Sequence, residues 1–449
     1  MRYIPHTDHD IVAMLAAIGA DTVDALFAHI PEELRLRAAV QLPQGLSESD
    51  TIAQLTALAR ANRTAPEMIA FLGAGAYAHF SPVVVDQIIQ RSEFATAYTP
   101  YQPEVSQGTL QAIFEFQSLV ATLLGLDVAN ASMYDGASAT AEAVLMAKRI
   151  LPQRATILIA RSLHPEYRQV VRTYLAGAPD SQILELPWAA NGRVDKATLE
   201  RLLDDHVSCV VFGYPNVFGV IEDVASMSAL AQQRGALTIT ATTEALALGL
   251  LKSPGELGAD IAVAEGQSLG IPVSYGGPGV GLFACRERFL RNMPGRLVGE
   301  TVDQEGRRGF VLTLATREQH IRREKATSNI CTNQGLCALA VTVFLSLMGK
   351  QGLRELAERN VKKSHFAYEA LLQQPGCRTP FSGPFFNEFV VECNDARALW
   401  NKVKGQGLIA GVLLEDWYPE LKNCLLLCVT ELHTREQIER LVREFSRTT

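Results

Sequence analysis

From residue 131 onward the chain alternates short, almost wholly apolar runs with longer amphipathic ones, and few folds accommodate that rhythm. The runs at 131–134, 155–160, 183–186, 209–213, 236–241, 261–264 and 280–284 read as strands, with helix-like segments between most of them. Strands that are apolar on both faces belong to a mostly parallel sheet covered by helices on either side. Ligands on such sheets sit beyond the carboxyl ends of the strands, which is where the polar loops of this chain fall.

A chain of 449 residues is too long for one simple core. We expect a helical N-terminal arm at 1–65, a large α/β domain at 66–325 and a smaller α+β domain at 326–449. In the arm, Ile11, Met14, Leu15 and Ile18, then Val23, Leu26 and Phe27, then Ile52, Leu55 and Leu58 form stripes too short to bury alone, so the arm is expected to wrap the body or a partner. In the last domain, 389–392 and 425–429 read as strands, and a closing helix starts at Thr434. The polar run 320–333, followed by an apolar helix over 336–348, marks the crossing between the two larger domains.

A net charge of -7 without a basic face argues against nucleic acid. Neither a secretory signal nor an apolar run of bilayer length is expected, so no membrane association is. The eight cysteines form no CxxC pair, and Cys424 and Cys428 fall on one face of a strand as small core residues. No metal site and a reducing, cytoplasmic setting follow.

The stretch 96–115 is the densest concentration of polar and aromatic groups beside a helix start. It carries Tyr98, Thr99, Tyr101, Gln102, Glu104, Ser106 and Gln107. Pro100 and Pro103 stiffen it by fixing their own φ and pushing Thr99 and Gln102 toward extended backbone. Ser106 is placed to cap a helix whose buried stripe is Leu110, Ile113, Phe114, Gln117, Val120 and Leu124, and Gly125 ends that helix. From the residues alone, a loop that buries its tyrosines is the reading to prefer over one that binds a ligand.

Three further segments bear on chemistry. YDGASATAEA (134–143) follows a strand and opens a helix, a place where backbone N–H groups can meet a phosphate or simply turn. RSLHPEY (161–167) offers His164, either over a planar ligand or as a local hydrogen-bonding group. With the small C-terminal domain, this layout resembles the type I pyridoxal-phosphate-dependent transferases, the aspartate-aminotransferase-like fold. That resemblance implies a Schiff-base lysine and an aspartate beside the pyridinium nitrogen. Thr242 and Thr243 stand at the aspartate position, and Gln267 or Ser268 at the lysine position. No lysine lies between Lys252 and Lys325.

YTPYQPEVSQG, FLGAGAY, YDGASATAEA, GQSLGIPVSYGGPG and REKATSNICTNQ together resemble the glycine cleavage system P-protein family, in particular the first (alpha) subunit of the two-subunit bacterial form. The resemblance spans essentially the whole chain. It implies decarboxylation of glycine, with transfer of the aminomethyl group to the lipoyl arm of the H-protein. It further implies that the pyridoxal phosphate is held by a lysine of the beta subunit and none is bound covalently here. Two alpha and two beta chains would then form the enzyme. On this reading Tyr98, Tyr101, Gln102 and Glu104 act at a site shared with the beta subunit, lined also by Thr99, Ser106, Gln107, His164, Ser328, Asn329, Thr332 and Asn333. Thr332 or Asn333 could instead cap the helix that follows. Two other readings stay open: a self-sufficient enzyme using Lys252 or Lys325, and a noncatalytic scaffold whose polar loops build an interface.

Overall fold

The structure, a computed structural model, describes residues 5–35, 42–62, 68–178 and 180–446. The chain divides into two compact units, Met1–Arg63 and Thr64–Thr449. The expected arm boundary at 65 lies outside the described residues, and the one near 325 falls within the second unit. In the first unit, the helices Asp8–Ile18 and Glu48–Arg60 start where the sequence places caps. Thr7 and Asp10 form a reciprocal capping box, and the Ser47 hydroxyl accepts from the Asp50 amide.

The second unit opens with a two-residue strand, β1 (Ile69–Ala70), and then builds the main sheet. Its strands are β2 (Val128–Ala129), β3 (Thr156–Ala160), β4 (Gln182–Leu186), β5 (Val207–Gly213), β6 (Leu237–Thr242), β7 (Ile261–Glu265) and β8 (Gly281–Cys285). A hairpin follows, β9 (Leu297–Val302) and β10 (Arg308–Thr313), and then β11 (Glu388–Glu392), β12 (Leu408–Ile409), β13 (Val412–Leu413) and β14 (Cys424–Cys428). The seven strands lie in the order β2-β8-β7-β6-β5-β3-β4, parallel from β4 through β7, with β8 and β2 antiparallel at one edge. Strands β3, β5, β6, β7 and β8 are buried along their whole length, as their unbroken apolar character requires.

Two elements differ from expectation. Residues 131–134 are not a strand: Ser132 adopts a φ of 113°, and Met133 makes one isolated bridge to Gly281. In the helix Gln107–Leu124 the buried stripe takes Phe116 rather than Phe114, which sits half-buried against Phe310 at 5.2 Å. The helix expected at 336–348 runs from Gly335 to a kink at Gly349 (φ 56°, ψ -176°), beyond which a second helical segment extends to Leu372. By length and composition this helix could cross a bilayer, contrary to expectation, but Ala338, Val341 and Phe344 are buried in the same core as the sheet.

A second, smaller core forms around β11, β14 and β13, an antiparallel sheet with Phe389 opposite Leu427. Cys424 and Cys428 are buried at the two ends of β14, on one face of the strand as expected. Phe71 belongs to this core, and β1 pairs with β12 beside it. The chain therefore leaves the small core at Phe71 and runs directly into the large one, over the carboxyl ends of β6 and β7.

Candidate active site

The crossing segment 71–84 fills the place where this fold would hold a ligand. Gly73 is needed for the approach: a side chain there would collide with Glu388 and with Cys428 Cβ. Tyr77 follows, wholly buried, its hydroxyl 2.7 Å from Glu388 Oε2 and 3.1 Å from Thr243 Oγ1. The Gln267 side chain grips the same backbone from both sides. Its Oε1 accepts from the Tyr77 N–H (2.9 Å), and its Nε2 donates to Tyr77 O (3.0 Å) and to Ile271 O (2.7 Å). Burial pushes the Tyr77 phenol upward and raises Glu388 to about 7.

The helix Gly136–Ile150, whose start the sequence leaves open as an anion site or a plain turn, already carries an acidic group of its own. The Gly136 N–H donates to Glu265 Oε2 (2.8 Å), and Asp135 caps the Ser138 amide at 2.7 Å. Glu265 also accepts from the amides of Val280 (2.9 Å) and Gln267 (3.1 Å). Burial outweighs these bonds and raises its carboxyl to about 7. His164 is buried, and its Nδ1 accepts from the Glu166 N–H at 3.3 Å, which leaves Nε2 to donate to Ala74 O at 2.9 Å. Burial lowers its pKa, so the ring is neutral, packed between Tyr167 and Trp417.

His79 closes this region, between Glu431 (Nδ1 to Oε2, 2.8 Å) and Glu244 (Nε2 to Oε2, 2.9 Å). Burial opposes its charge, but the two carboxylates prevail and raise it to about 10. The Ser268 and Thr242 hydroxyls are buried without a hydrogen-bond partner among the described residues. The residues present do not suit pyridoxal phosphate. No lysine lies at the end of β7, a carboxylate sits where the phosphate would, and Tyr77 with Gln267 takes the remaining space.

A second place is open. A cavity of about 270 Å³ lies between the 94–100 loop, the helix Gln107–Leu124 and the start of the helix Gly335–Leu372, lined by Phe94, Tyr98, Thr99, Ile113, Thr332 and Asn333. Tyr98 is 83% exposed, an unusual state for a tyrosine in a proline-stiffened loop. Thr332 and Asn333 do not cap the helix beside them. Gln334 is its N-cap residue, with no side-chain cap bond, and Asn333 Nδ2 donates to Ala131 O at 3.0 Å. Tyr101 is half exposed, its hydroxyl accepting from Arg296 Nη2 at 3.1 Å.

The structure thus brings Tyr98, Thr99, Thr332 and Asn333 to one groove, with Tyr101 linked to it through Arg296. Gln102, Glu104 and Asn329 are exposed. Ser106 makes no side-chain cap bond, because the short 3-10 turn Pro103–Val105 runs straight into the helix. Gln107 instead ties that turn down, through Pro103 O (2.8 Å) and both backbone groups of Phe310 (2.9 Å each). Ser328 accepts from the Ile330 N–H at 3.1 Å and faces buried Glu142. Sequence reasoning missed Arg296 and Glu265 and gave Tyr77 and His79 no role. Their partners lie far away in sequence, and no local pattern announces them.

The fold and the layout of its strand ends are those of the type I pyridoxal-phosphate-dependent transferases. A sphingosine-1-phosphate lyase from Burkholderia pseudomallei K96243 shares this fold, with a TM-score of 0.68 over 91% of this chain and 92% of that one, at 15% identity. Within the class, this chain belongs to the glycine cleavage system P-protein family, whose family model matches residues 1–445. It is 54% identical over 442 residues to a probable glycine dehydrogenase (decarboxylating) subunit 1 from Anaeromyxobacter dehalogenans (strain 2CP-C), covering 98% of both chains. It is 50% identical over 448 residues to a protein of the same name from Geobacillus thermodenitrificans (strain NG80-2), covering 99% and 98%. A crystal structure of glycine decarboxylase (P-protein) of the glycine cleavage system, in inhibitor-bound form, matches all of both chains with a TM-score of 0.91 and 44% identity.

Proposed function

We propose that this chain is the alpha subunit of glycine decarboxylase in the glycine cleavage system and works at a site completed by a beta subunit. The observation that carries this reading is the pairing of a filled ligand place at the strand ends with an open groove that presents Tyr98, Thr99, Thr332 and Asn333. Pyridoxal phosphate, held by the beta subunit's lysine, would supply the electron sink for loss of carbon dioxide. The lipoylated H-protein would accept the aminomethyl group. This chain's residues would shape the pocket for glycine: the tyrosines form its wall, and their hydroxyls with the Thr and Asn side chains fix the orientation of its polar groups. An α2β2 assembly in a cytoplasmic, reducing setting fits eight cysteines that are all free.

Lys252 and Lys325 are both exposed, which weighs against a self-sufficient enzyme. The isolated chain incubated with pyridoxal phosphate and borohydride should yield no pyridoxyl-lysine. A modified Lys252 or Lys325 in a peptide map would sink the reading. In the reconstituted complex, Tyr98→Phe and Tyr101→Phe should each lower glycine-dependent carbon dioxide exchange by about tenfold or more. Full exchange in both would remove the loop from the site and leave a scaffold role.

A further inference from the structure

Arg296 immediately precedes β9, is 5% exposed, and touches both walls of the open groove without lining it. Its Nη2 donates to the Tyr101 hydroxyl (3.1 Å) and to the Cys331 carbonyl, and the guanidinium lies 5.4 Å from the centre of the Tyr101 ring. Its Nε stands 3.4 Å from Glu318 Oε2, on the same polar segment. Its backbone carbonyl accepts from the Ala131 amide (2.9 Å), and the Ala131 carbonyl in turn accepts from Asn333. Its side chain thus holds Tyr101 and Cys331, which adjoin the groove-lining residues Pro100 and Thr332, and its backbone meets Asn333 through Ala131.

We propose that Arg296 is a positioning residue that sets the Tyr98–Tyr101 wall and the Thr332–Asn333 wall in one fixed geometry. Its relevance to glycine rests on the shared-site reading above. A guanidinium suits this task because its planar fork directs several donors at once, whereas an ammonium is a single point of charge. Stability alone does not account for it. Arg296 Nη1 has no hydrogen-bond partner among the described residues, and a buried charge so incompletely satisfied can often be replaced by an apolar side chain of similar length without loss of stability. Glu318 would keep company without it, since Arg317 and His320 face the same carboxylate.

Hydrogen exchange on the full-length chain, read by mass spectrometry, tests this without reference to activity. The reporting amides are hydrogen-bonded in place: Tyr101 to Thr99 O and Ser106 to Pro103 O on one wall, Cys331 to the Tyr134 hydroxyl and Gln334 to Ser132 Oγ on the other. Arg296→Met should speed exchange about tenfold in peptides covering 98–106 and 327–334, and leave β3 to β7 unchanged. Arg296→Lys should restore one wall at most. Unchanged protection in both segments overturns the proposal, even if Tyr101→Phe cuts glycine turnover and the shared-site reading survives. Exchange that rises throughout the sheet also overturns it, by making Arg296 a stability residue. Protection lost in the two walls alone supports it. Should turnover in the reconstituted complex then stay at the wild-type rate, the shared-site reading falls while the positioning role stands.

Discussion

The filled strand-end region and the open groove are built from the same kinds of residue and are finished in opposite ways. In the first, a tyrosine, a glutamine, two histidines and several glutamates are buried and hydrogen-bonded to one another or to backbone groups. In the second, Tyr98 projects into solvent, and Thr332 beside it is half-buried with no side-chain hydrogen bond among the described residues. Buried polar clusters hold a fold in one state because any broken pair leaves an uncompensated group. Exposed ones contribute little to stability, so their arrangement reflects something they contact. Substitutions in the two regions should therefore separate cleanly, the first changing stability and the second changing turnover.

The sharpest break should come at Tyr77. Tyr77→Ala empties a wholly buried ring and strips Glu388 and Thr243 of a partner, so urea unfolding should show a loss of about 4 kcal/mol. His79→Gln should cost about 3 kcal/mol, because it leaves Glu244 and Glu431 facing each other without a cation. The wild-type contribution is pH-dependent with a definite sign. His79 is raised from 6.5 to about 10, so its stabilisation is complete below pH 6.5 and is lost as pH rises through 10. Glu431 is lowered from 4.5 to about 2, so its share is complete above 4.5 and is lost as pH falls toward 2. As pH rises from 6.5 toward 10 the gap between wild type and His79→Gln should close. A gap that stays constant over that interval would mean the histidine is neutral in the folded state.

A smaller effect, about 1–3 kcal/mol, is expected of Glu265→Ala, which leaves the Gly136, Gln267 and Val280 amides without their acceptor. Inorganic phosphate should raise the thermal midpoint of this variant and leave wild type unmoved, since the emptied helix start is then free to take an anion. At the far end of the scale, Tyr98→Phe should shift stability by no more than about 0.5 kcal/mol. The same variant is the one expected to lose glycine turnover. A Tyr98→Phe protein that is both stable and fully active would erase the contrast between the two regions.

The sheet was legible because parallel strands buried on both faces must be apolar throughout, and β3 to β8 lie within a few residues of the expected runs. The helix Gln107–Leu124 was legible to its end, where Gly125 takes the left-handed conformation at φ 67°. The run 131–134 misled because apolar character alone cannot distinguish a strand from a buried irregular turn, here one that places Ser132 under Gln334. The helix after Gln334 was legible as far as Gly349, where the backbone leaves helical geometry (φ 56°, ψ -176°), whereas the second helical segment that follows to Leu372 was not. The site was legible in part: the Tyr98 loop and the 332–333 segment were singled out together, through resemblance rather than through any spacing. Arg296 and Tyr101 are 195 residues apart, and Gly136 and Glu265 are 129 apart, so neither contact leaves a trace in local sequence.

The Gln267 amide that grips Tyr77 has a historical consequence. A chain of this fold that had merely lost a lysine could regain it in one substitution. Here Gln267 and Tyr77 hold each other, Glu265 occupies the helix start, and Glu388 depends on Tyr77, so each single step back toward an open pocket passes through a less stable protein. On the proposed reading the specialisation would behave as a ratchet, with the chain's dependence on a second subunit locked in by its own packing.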